Sequence, residues 1–165
     1  MLKKKSSKRP SWDEYFLDMA RFVSKRSTCL RKQVGAVVVR GKRVIATGYN
    51  GTCIPGGAHC IDLNYCEREA QGVESGTRYE VGNCTHAEAS ALFQCAKFGI
   101  SSAGATLYVD GLICILCAKM AVSAGISRVV CLKENRPMNG ISFLKKAKVE
   151  VKLVNFPSKA KSKKR

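Results

Sequence analysis

Two short motifs, which can jointly hold one metal ion, constrain what this chain can fold into more than any other feature does. His86-Ala87-Glu88 stands at the apparent start of one helix, and Cys114-Ile115-Leu116-Cys117 stands at the apparent start of another. One imidazole nitrogen and two thiolates fill three corners of a tetrahedron and leave the fourth open, which is typical of catalytic rather than structural zinc. Glu88 is not a ligand in this arrangement and is placed to carry protons. The pattern therefore predicts a catalytic zinc site with His86, Cys114 and Cys117 as ligands and Glu88 as the catalytic carboxylate.

Each motif also has an ordinary alternative. A C-x-x-C pair is equally typical of a redox site or of half a structural zinc site. Thr85-x-x-Glu88 before an apolar run matches a capping box, in which Glu88 would only cap a helix. The occurrence of both motifs in one chain favours catalytic zinc, and helix N-termini lower the pKa of thiols and so help both cysteines to bind as thiolates.

The first fifty residues predict a helix followed by a β-hairpin. Ser11 and Glu14 form a capping box at the start of the helix. Its apolar side is predicted to consist of Tyr15, Met19, Phe22 and Val23. The β-branched runs 34–39 and 44–47 flank Arg40-Gly41-Lys42, which is a hairpin signal.

Residues 50–84 are rich in Gly, Cys and charge, and we expect them to be irregular and either functional or held in place by something. The elements predicted after them are helix 87–98, strand 106–109, helix 117–124, strand 128–132, helix 141–147 and strand 149–154. The buried stripe of the first of these helices is predicted to contain Ala87, Ala91, Cys95 and Phe98. A hairpin followed by alternating helices and strands predicts an α/β fold, with a mixed sheet covered on both faces by helices.

The composition fits one domain in a reducing compartment. A chain of 165 residues can bury a proper core, and no stretch approaches the length of a membrane span. Lys3-Lys4-Lys5 is not followed by the apolar segment of a signal peptide, and the nine cysteines are more typical of metal binding than of a disulfide framework. We therefore expect an intracellular, cytoplasmic protein with no membrane partner.

Positive charge is concentrated in two short tails. Residues 1–10 and 158–165 each carry five basic and no acidic residues, so that +10 of the net charge of +17 lies in the tails and +7 lies in the domain at 11–157. We expect both tails to be disordered. They could serve nuclear import, attract nucleic acid in a salt-sensitive way, or only improve solubility. The charge of the domain suits an enzyme that binds anionic nucleotides.

From Ser11 to about Pro157, the order and spacing of motifs resemble the deoxycytidylate (dCMP) deaminase family of the cytidine-deaminase-like superfamily. H-x-E…P-C-x-x-C is the signature of zinc deaminases. The further matching pieces are S-W-D-E-Y-F from Ser11, V-G-A from Val34, G-Y-N-G from Gly48, L-Y-V before the cysteines and A-G-I from Ala124. G-Y-N-G together with H-A-E points to nucleotide deaminases more than to tRNA adenosine deaminases or nucleoside deaminases.

The resemblance implies a three-layer α/β/α sandwich with a five-stranded sheet. It implies hydrolysis of dCMP to dUMP and ammonia in pyrimidine deoxynucleotide metabolism. It also implies a homo-oligomer, often a hexamer, that is regulated by dCTP and dTTP, with Mg²⁺ accompanying the dCTP effector.

The resemblance also assigns substrate contacts. Asn50 would contact the sugar, and the Ala87 N–H would meet the pyrimidine carbonyl; Asn50 could instead be a turn residue with positive φ. Ser90 stands where the family has the asparagine of H-A-E-x-N, and a hydroxyl has a shorter reach and a different donor set. Ile113 stands where the family has the proline before the first cysteine. Neither departure removes a metal ligand.

A second zinc ion is expected as well. One branch of the family holds a structural zinc with a cysteine after the first helix and another in the loop after G-Y-N-G. Cys29 and Cys60 stand at these places, with Cys66 and Cys84 as the preferred further ligands and His59 as another donor. The alternative is a set of free or buried thiols. The remaining cysteines, Cys53, Cys95 and Cys131, are predicted to be small core residues.

Two other functions compete with dCMP deamination. A polynucleotide deaminase acting on single-stranded DNA or RNA would explain the basic tails, but the chain shows no basic patch interleaved with aromatic residues for stacking bases. A catalytically inactive, zinc-stabilised regulator would explain Ser90 and Ile113. The retained ligands and Glu88 favour an enzyme over this regulator.

Overall fold

The computed structural model describes residues 9–134 and 139–155. Its elements in chain order are α1 (Trp12–Ser24), β1 (Gly35–Arg40), β2 (Arg43–Tyr49), β3 (Gly51–Thr52), α2 (Cys60–Leu63), α3 (Glu67–Ala70), β4 (Cys84–Thr85), α4 (Ala87–Lys97), β5 (Thr106–Val109), α5 (Ile115–Ser123), β6 (Arg128–Leu132), α6 (Asn139–Lys146) and β7 (Glu150–Val154). Apart from Arg9 and Pro10, the two predicted basic tails lie outside the described residues.

The five main strands form one mixed sheet in the order β2-β1-β5-β6-β7. The hairpin strand β1 pairs antiparallel with both β2 and β5, whereas β5, β6 and β7 run parallel to one another. The parallel strands are joined by α5 and α6, as parallel pairing requires a crossover connection. The predicted hairpin and the mixed sheet are both confirmed.

Alternating side chains of the sheet face two hydrophobic layers. Ala36 and Val38 of β1 belong to the larger cluster, which contains the buried residues of α4, α5 and α6. Val37 and Val39 point the other way, into a smaller cluster with Phe16 and Leu17 of α1. The sheet is therefore covered by helices on both faces, and the predicted α/β/α sandwich is confirmed.

The predicted apolar face of α1 is confirmed only in part, since Met19 and Val23 pack against the smaller cluster. The residues that bury against the sheet are Phe16, Leu17 and Ala20, while Tyr15 and Phe22 are 46% and 70% exposed. The apolar side of this helix is wide, so spacing alone did not select which of its residues are most deeply buried. The Ser11–Glu14 capping box that starts the helix is confirmed.

Two further core assignments need correction. Ala87, Ala91 and Cys95 are buried as predicted, but Phe98 follows the last residue of α4 and is 66% exposed. Cys95 and Cys131 lie in the core, whereas Cys53 is exposed.

The segment 50–84 is more regular than predicted. It contains the short helices α2 and α3, and its two ends pair as β3 and β4, with Gly51 opposite Thr85 and Thr52 opposite Cys84. This pairing returns the chain to the sheet immediately before His86. Across residues 9–134 and 139–155, no helix combines the length and apolar character needed to cross a bilayer.

Candidate metal centre and active-site cleft

The position of His86 and Glu88 follows from close packing of α4 on β2. His86 is the N-cap of α4, and Ala87 and Glu88 lie in the first turn. Strand β2 approaches the helix at Gly48, where an added Cβ would lie 2.3 Å from the Ala91 nitrogen and 2.4 Å from the Ala87 oxygen. Any side chain here would push α4 away, so Gly48 fixes the helix start against the sheet.

The two cysteines lie at the start of α5. Cys114 is the N-cap, and its Sγ accepts a hydrogen bond from the Cys117 N–H at 3.4 Å. The cysteine side chain thus takes the acceptor role that Ser, Thr or Asp usually plays at an N-cap. Both predicted metal motifs therefore stand at helix N-termini.

The three predicted ligands meet. His86 Nδ1 lies 3.4 Å from Cys114 Sγ and 3.5 Å from Cys117 Sγ. A tetrahedral ion with a Zn–N bond of about 2.0 Å and a Zn–S bond of about 2.3 Å separates such ligand atoms by about 3.5 Å. Within the described part of the chain, this is the sole group of three or more His, Cys, Asp or Glu donors that lie within 4.8 Å of one another. The donor set and its spacing fit zinc.

The local electrostatics favour a thiolate at Cys114. The hydrogen bond from Cys117, followed by that from His86, lowers the pKa of Cys114 to about 4 despite burial. The same contact with Cys114, together with burial, raises the pKa of Cys117. The hydrogen bond with Cys114 also raises the pKa of His86, although burial opposes this shift. A cation bound by both sulfurs requires both thiolates, so its binding releases a proton.

Glu88 is buried beside the ligands. It is 4% exposed and lines the same cleft as His86, Ala87 and Cys114. The capping-box alternative is wrong, because Thr85 belongs to β4 and the N-cap of α4 is His86, whose side chain makes no cap hydrogen bond. A buried carboxylate next to a cation site is suited to proton transfer.

Asn50 lines the cleft, and its amide orders the preceding loop. Its Oδ1 accepts hydrogen bonds from Ser27 Oγ at 2.7 Å and from the Val34 N–H at 2.8 Å, and its Nδ2 donates to the Lys32 carbonyl at 2.7 Å. Asn50 is not among the residues with positive φ, so the turn-residue alternative is wrong.

Ala87 and Ser90 occupy different sides of α4. Ala87 is buried and lines the cleft, with its N–H in the first helical turn, where amides have no acceptor within the helix. Ser90 instead lines a neighbouring groove with Phe93, Gln94 and β2. Within a single chain, Ser90 therefore does not share the cleft of Glu88.

Of the four cysteines proposed for a second zinc ion, all of them described, no three have sulfur atoms within 4.8 Å of one another. The sulfur atoms of Cys60 and Cys84 lie 3.7 Å apart, and Cys66 lines a pocket with both. Burial, then the contact with Cys60, raises the pKa of Cys84 to about 12, and the charges of Cys29 and Cys66 add to this. His59, the other donor suggested by the sequence, has its Nδ1 3.2 Å from Thr28 Oγ1.

Three cations and one aromatic residue of the cleft were not predicted: Arg31, Lys32, Arg68 and Tyr79. Tyr79 packs edge-on against the His86 ring, with 5.3 Å between centroids. Arg68 donates to the carbonyls of Thr77 and Arg78 and thereby shapes the segment that carries Tyr79. Arg68 lies in the short helix α3 and the other three lie in connecting segments, so no periodic pattern in the sequence could have identified them.

Comparison with known proteins agrees with this geometry. Residues 10–133 match the family model of the cytidine and deoxycytidylate deaminase zinc-binding region. A deoxycytidylate deaminase of Mycobacterium phage D29 is 44% identical over 132 residues, which cover 77% of this chain and 98% of that protein. The deoxycytidylate deaminase of Schizosaccharomyces pombe is 42% identical over 122 residues, or 74% of this chain, but the match spans only 37% of the length of that protein.

A solved structure shares the fold over nearly its whole length. The dCMP deaminase of cyanophage S-TIM5, crystallised with dCMP and dUMP, superposes with a TM-score of 0.74 and 30% identity, covering 88% of this chain and 98% of that one. The matched region contains both metal motifs and Glu88. The chain belongs to the cytidine and deoxycytidylate deaminase zinc-binding family.

Proposed function

We propose that this chain is a zinc-dependent hydrolase that converts dCMP to dUMP and ammonia. The observation that carries the proposal is the convergence of His86, Cys114 and Cys117 beside the buried carboxylate of Glu88. The phage and yeast relatives with the name deoxycytidylate deaminase support the substrate, as does the cyanophage enzyme bound to dCMP and dUMP.

His86, Cys114 and Cys117 would hold the zinc ion, which supplies Lewis-acid activation of water when bound. Glu88 accepts a proton from the attacking water and delivers it to the ring nitrogen next to the amine-bearing carbon. It then takes the proton of the newly added hydroxyl group and passes it to the amine, so that the C–N bond breaks, the ring carbonyl forms and ammonia leaves. The aromatic edge of Tyr79 keeps the His86 ring in place. Burial of Glu88 keeps bulk water away from the proton transfer.

The cleft also suits a 5′-monophosphate. Among the described residues that line it, Glu88 is the only acidic one, whereas Arg31, Lys32 and Arg68 are basic. The proposal assigns the Ala87 N–H, in the first turn of α4, to the pyrimidine carbonyl. It assigns Asn50, which lines the cleft and orders the loop from 27 to 34, to the sugar. Ser90 would contact nucleotide only indirectly, from its groove behind α4.

The test of the proposal is turnover by the purified, zinc-loaded protein. Loss of cytosine absorbance in the ultraviolet should be rapid with dCMP and slower with deoxycytidine, because deoxycytidine lacks the phosphate. Absence of turnover with dCMP, dCTP and deoxycytidine would contradict the proposal. A polynucleotide deaminase is not favoured by the relatives, and sequencing a cytosine-rich single strand after incubation tests that alternative.

A second, structural zinc ion held by Cys29, Cys60, Cys66 and Cys84 is also part of the proposal. The 3.7 Å contact between Cys60 and Cys84 and the common pocket with Cys66 support it. Zinc here would join the end of α1 to the segment 50–84, which forms one wall of the cleft.

The proposed subunit assembly, regulation and location follow from the resemblance to the dCMP deaminase family and from the basic tails. We propose a homo-oligomer, with a hexamer as one form, and regulation by dCTP accompanied by Mg²⁺. Phe93 and Phe98, which are 56% and 66% exposed, offer α4 an apolar face for another subunit. The domain would span 11–157, and the flanking basic tails would support nuclear import of an otherwise cytoplasmic enzyme or weak binding to nucleic acid.

A further inference from the structure

The segment that carries Cys114 into the metal centre is held by contacts from outside the centre. Leu112 and Ile113 precede the ligand and are buried. Ile113 has the ordinary backbone freedom of a residue other than proline, so its conformation does not by itself fix the direction of Cys114. The position of the ligand must therefore be set by neighbouring groups.

One of these neighbours is α6. At Gly140 an added Cβ would lie 2.4 Å from the Ile113 oxygen and 2.8 Å from the Cys114 oxygen. The first turn of α6 thus packs directly on the backbone of the ligand segment, and only glycine permits this approach. This contact restrains the segment from one side.

The other neighbour is Glu134, just beyond the end of β6. Its Oε1 accepts a hydrogen bond from the Leu112 N–H at 3.0 Å, two residues before Cys114. Nearby, the Leu132 N–H donates to the Gly111 carbonyl at 3.0 Å. The chain after β6 and the chain after β5 are therefore joined at two successive points as they approach the metal centre.

The same carboxylate oxygen also holds a cation of the cleft. Lys32 Nζ lies 2.6 Å from Glu134 Oε1, and the two side chains are 50% and 22% exposed. Lys32 lines the cleft that contains Glu88, and its carbonyl accepts from Asn50. One oxygen atom therefore contacts both the Cys114 segment and a cation at the mouth of the cleft.

We propose that Glu134 is a positioning residue that fixes the Cys114 segment for metal retention and sets Lys32 for the substrate phosphate. Nothing in the metal or proton-transfer motifs identifies it, because it is 17 residues from Cys117 in the sequence. The role in metal retention stands without the proposed reaction, whereas the role of Lys32 toward a nucleotide phosphate rests on the proposed function.

The first experiment measures the rate at which the full-length, zinc-loaded protein loses catalytic zinc to an excess of chelator. Glu134→Ala should lose it about tenfold faster than wild type, the usual scale for removing an outer partner of a metal ligand. Glu134→Gln keeps an oxygen acceptor for the Leu112 N–H and should stay within about threefold of wild type. Lys32→Met and the remote surface control Asp18→Asn should release zinc at the wild-type rate.

The proposal would be overturned if folded Glu134→Ala released zinc at the wild-type rate. It would also be overturned if Glu134→Gln released zinc as fast as Glu134→Ala does. If Glu134→Ala fails to fold, the comparison of Glu134→Gln with wild type still decides, since a tenfold faster release from this isosteric variant contradicts a role through the Leu112 hydrogen bond.

The second experiment measures KM and kcat with dCMP and with deoxycytidine. Glu134→Gln and Lys32→Met should raise KM for dCMP by about tenfold, the scale of one charge-assisted contact, with little effect on KM for deoxycytidine. Equal effects on both substrates would overturn the phosphate role of Lys32. If neither wild type nor any variant turns over dCMP, the proposed reaction fails. If Glu134→Ala still releases zinc faster than wild type and Glu134→Gln in that case, the role of Glu134 in metal retention is supported.

Discussion

At the scale of single residues, the proposed proton transfer is assigned to Glu88, which is buried next to the candidate metal ligands and lies outside their group. Glu88→Ala should keep the zinc content of the wild type and reduce turnover of dCMP by about 10²–10⁴-fold, because only the proton carrier is removed. Ultraviolet assays and elemental analysis on the same samples measure both quantities. Glu80→Ala, at an exposed position, is the control.

Substantial activity in Glu88→Ala, with a loss of only about 1 kcal/mol in the free energy of unfolding, would mean that Glu88 has a merely structural role in α4.

At the scale of elements, Asp13 attaches the start of α1 to three strands. It accepts hydrogen bonds from Arg128 at 2.8 and 3.0 Å, from Lys152 at 2.6 Å and from Tyr108 at 3.0 Å. The Arg128 contact chiefly holds the pKa of Asp13 well below its ordinary value. A carboxyl group whose pKa is lower in the folded state stabilises the fold above its unfolded pKa of about 3.9, and this stabilisation is lost as the pH falls through the folded value. Asp13→Asn should therefore reduce the free energy of unfolding by about 2 kcal/mol at pH 7.

The deficit of Asp13→Asn should begin to shrink below about pH 4, because the carboxyl group of the unfolded wild type then takes up a proton, whereas the folded one stays ionised until a much lower pH. Denaturant titrations across this range measure it, with exposed Asp18→Asn as the control. A deficit that stays constant with pH would show that shape, not charge, attaches α1.

At the scale of the whole molecule, a second zinc ion would join α1, the segment 50–84 and the cleft. Cys60→Ser should lower the zinc content from two ions per chain to one, lower Tm and weaken substrate binding. The catalytic zinc should stay bound, because His86, Cys114 and Cys117 are untouched. Cys53→Ser, at an exposed cysteine, is the control. A content of one zinc ion in both wild type and Cys60→Ser would mean that packing alone holds the segment.

The sequence by itself determined the order of the elements outside the segment 50–84 and the residue types that meet at the candidate metal centre. Hairpin, capping-box and β-branched signals are local, since they reflect backbone geometry within a few residues, and they predicted the strands and helices to within a few residues of their bounds. The ligand types and the unligated Glu88 were also readable, because two dense motifs carry them.

Only the tertiary structure decided which faces are buried and which distant groups meet. The apolar side of α1 is wide, and contact with the sheet decided that Phe16 and Leu17 are buried while Tyr15 and Phe22 are exposed. Glu134 lies in irregular chain and Arg68 in the four-residue helix α3, which is too short for a periodic pattern. Both reach the site through folding of segments far apart in the sequence. Local hydrogen bonding is encoded residue by residue, whereas burial and convergence depend on how complete elements pack against one another.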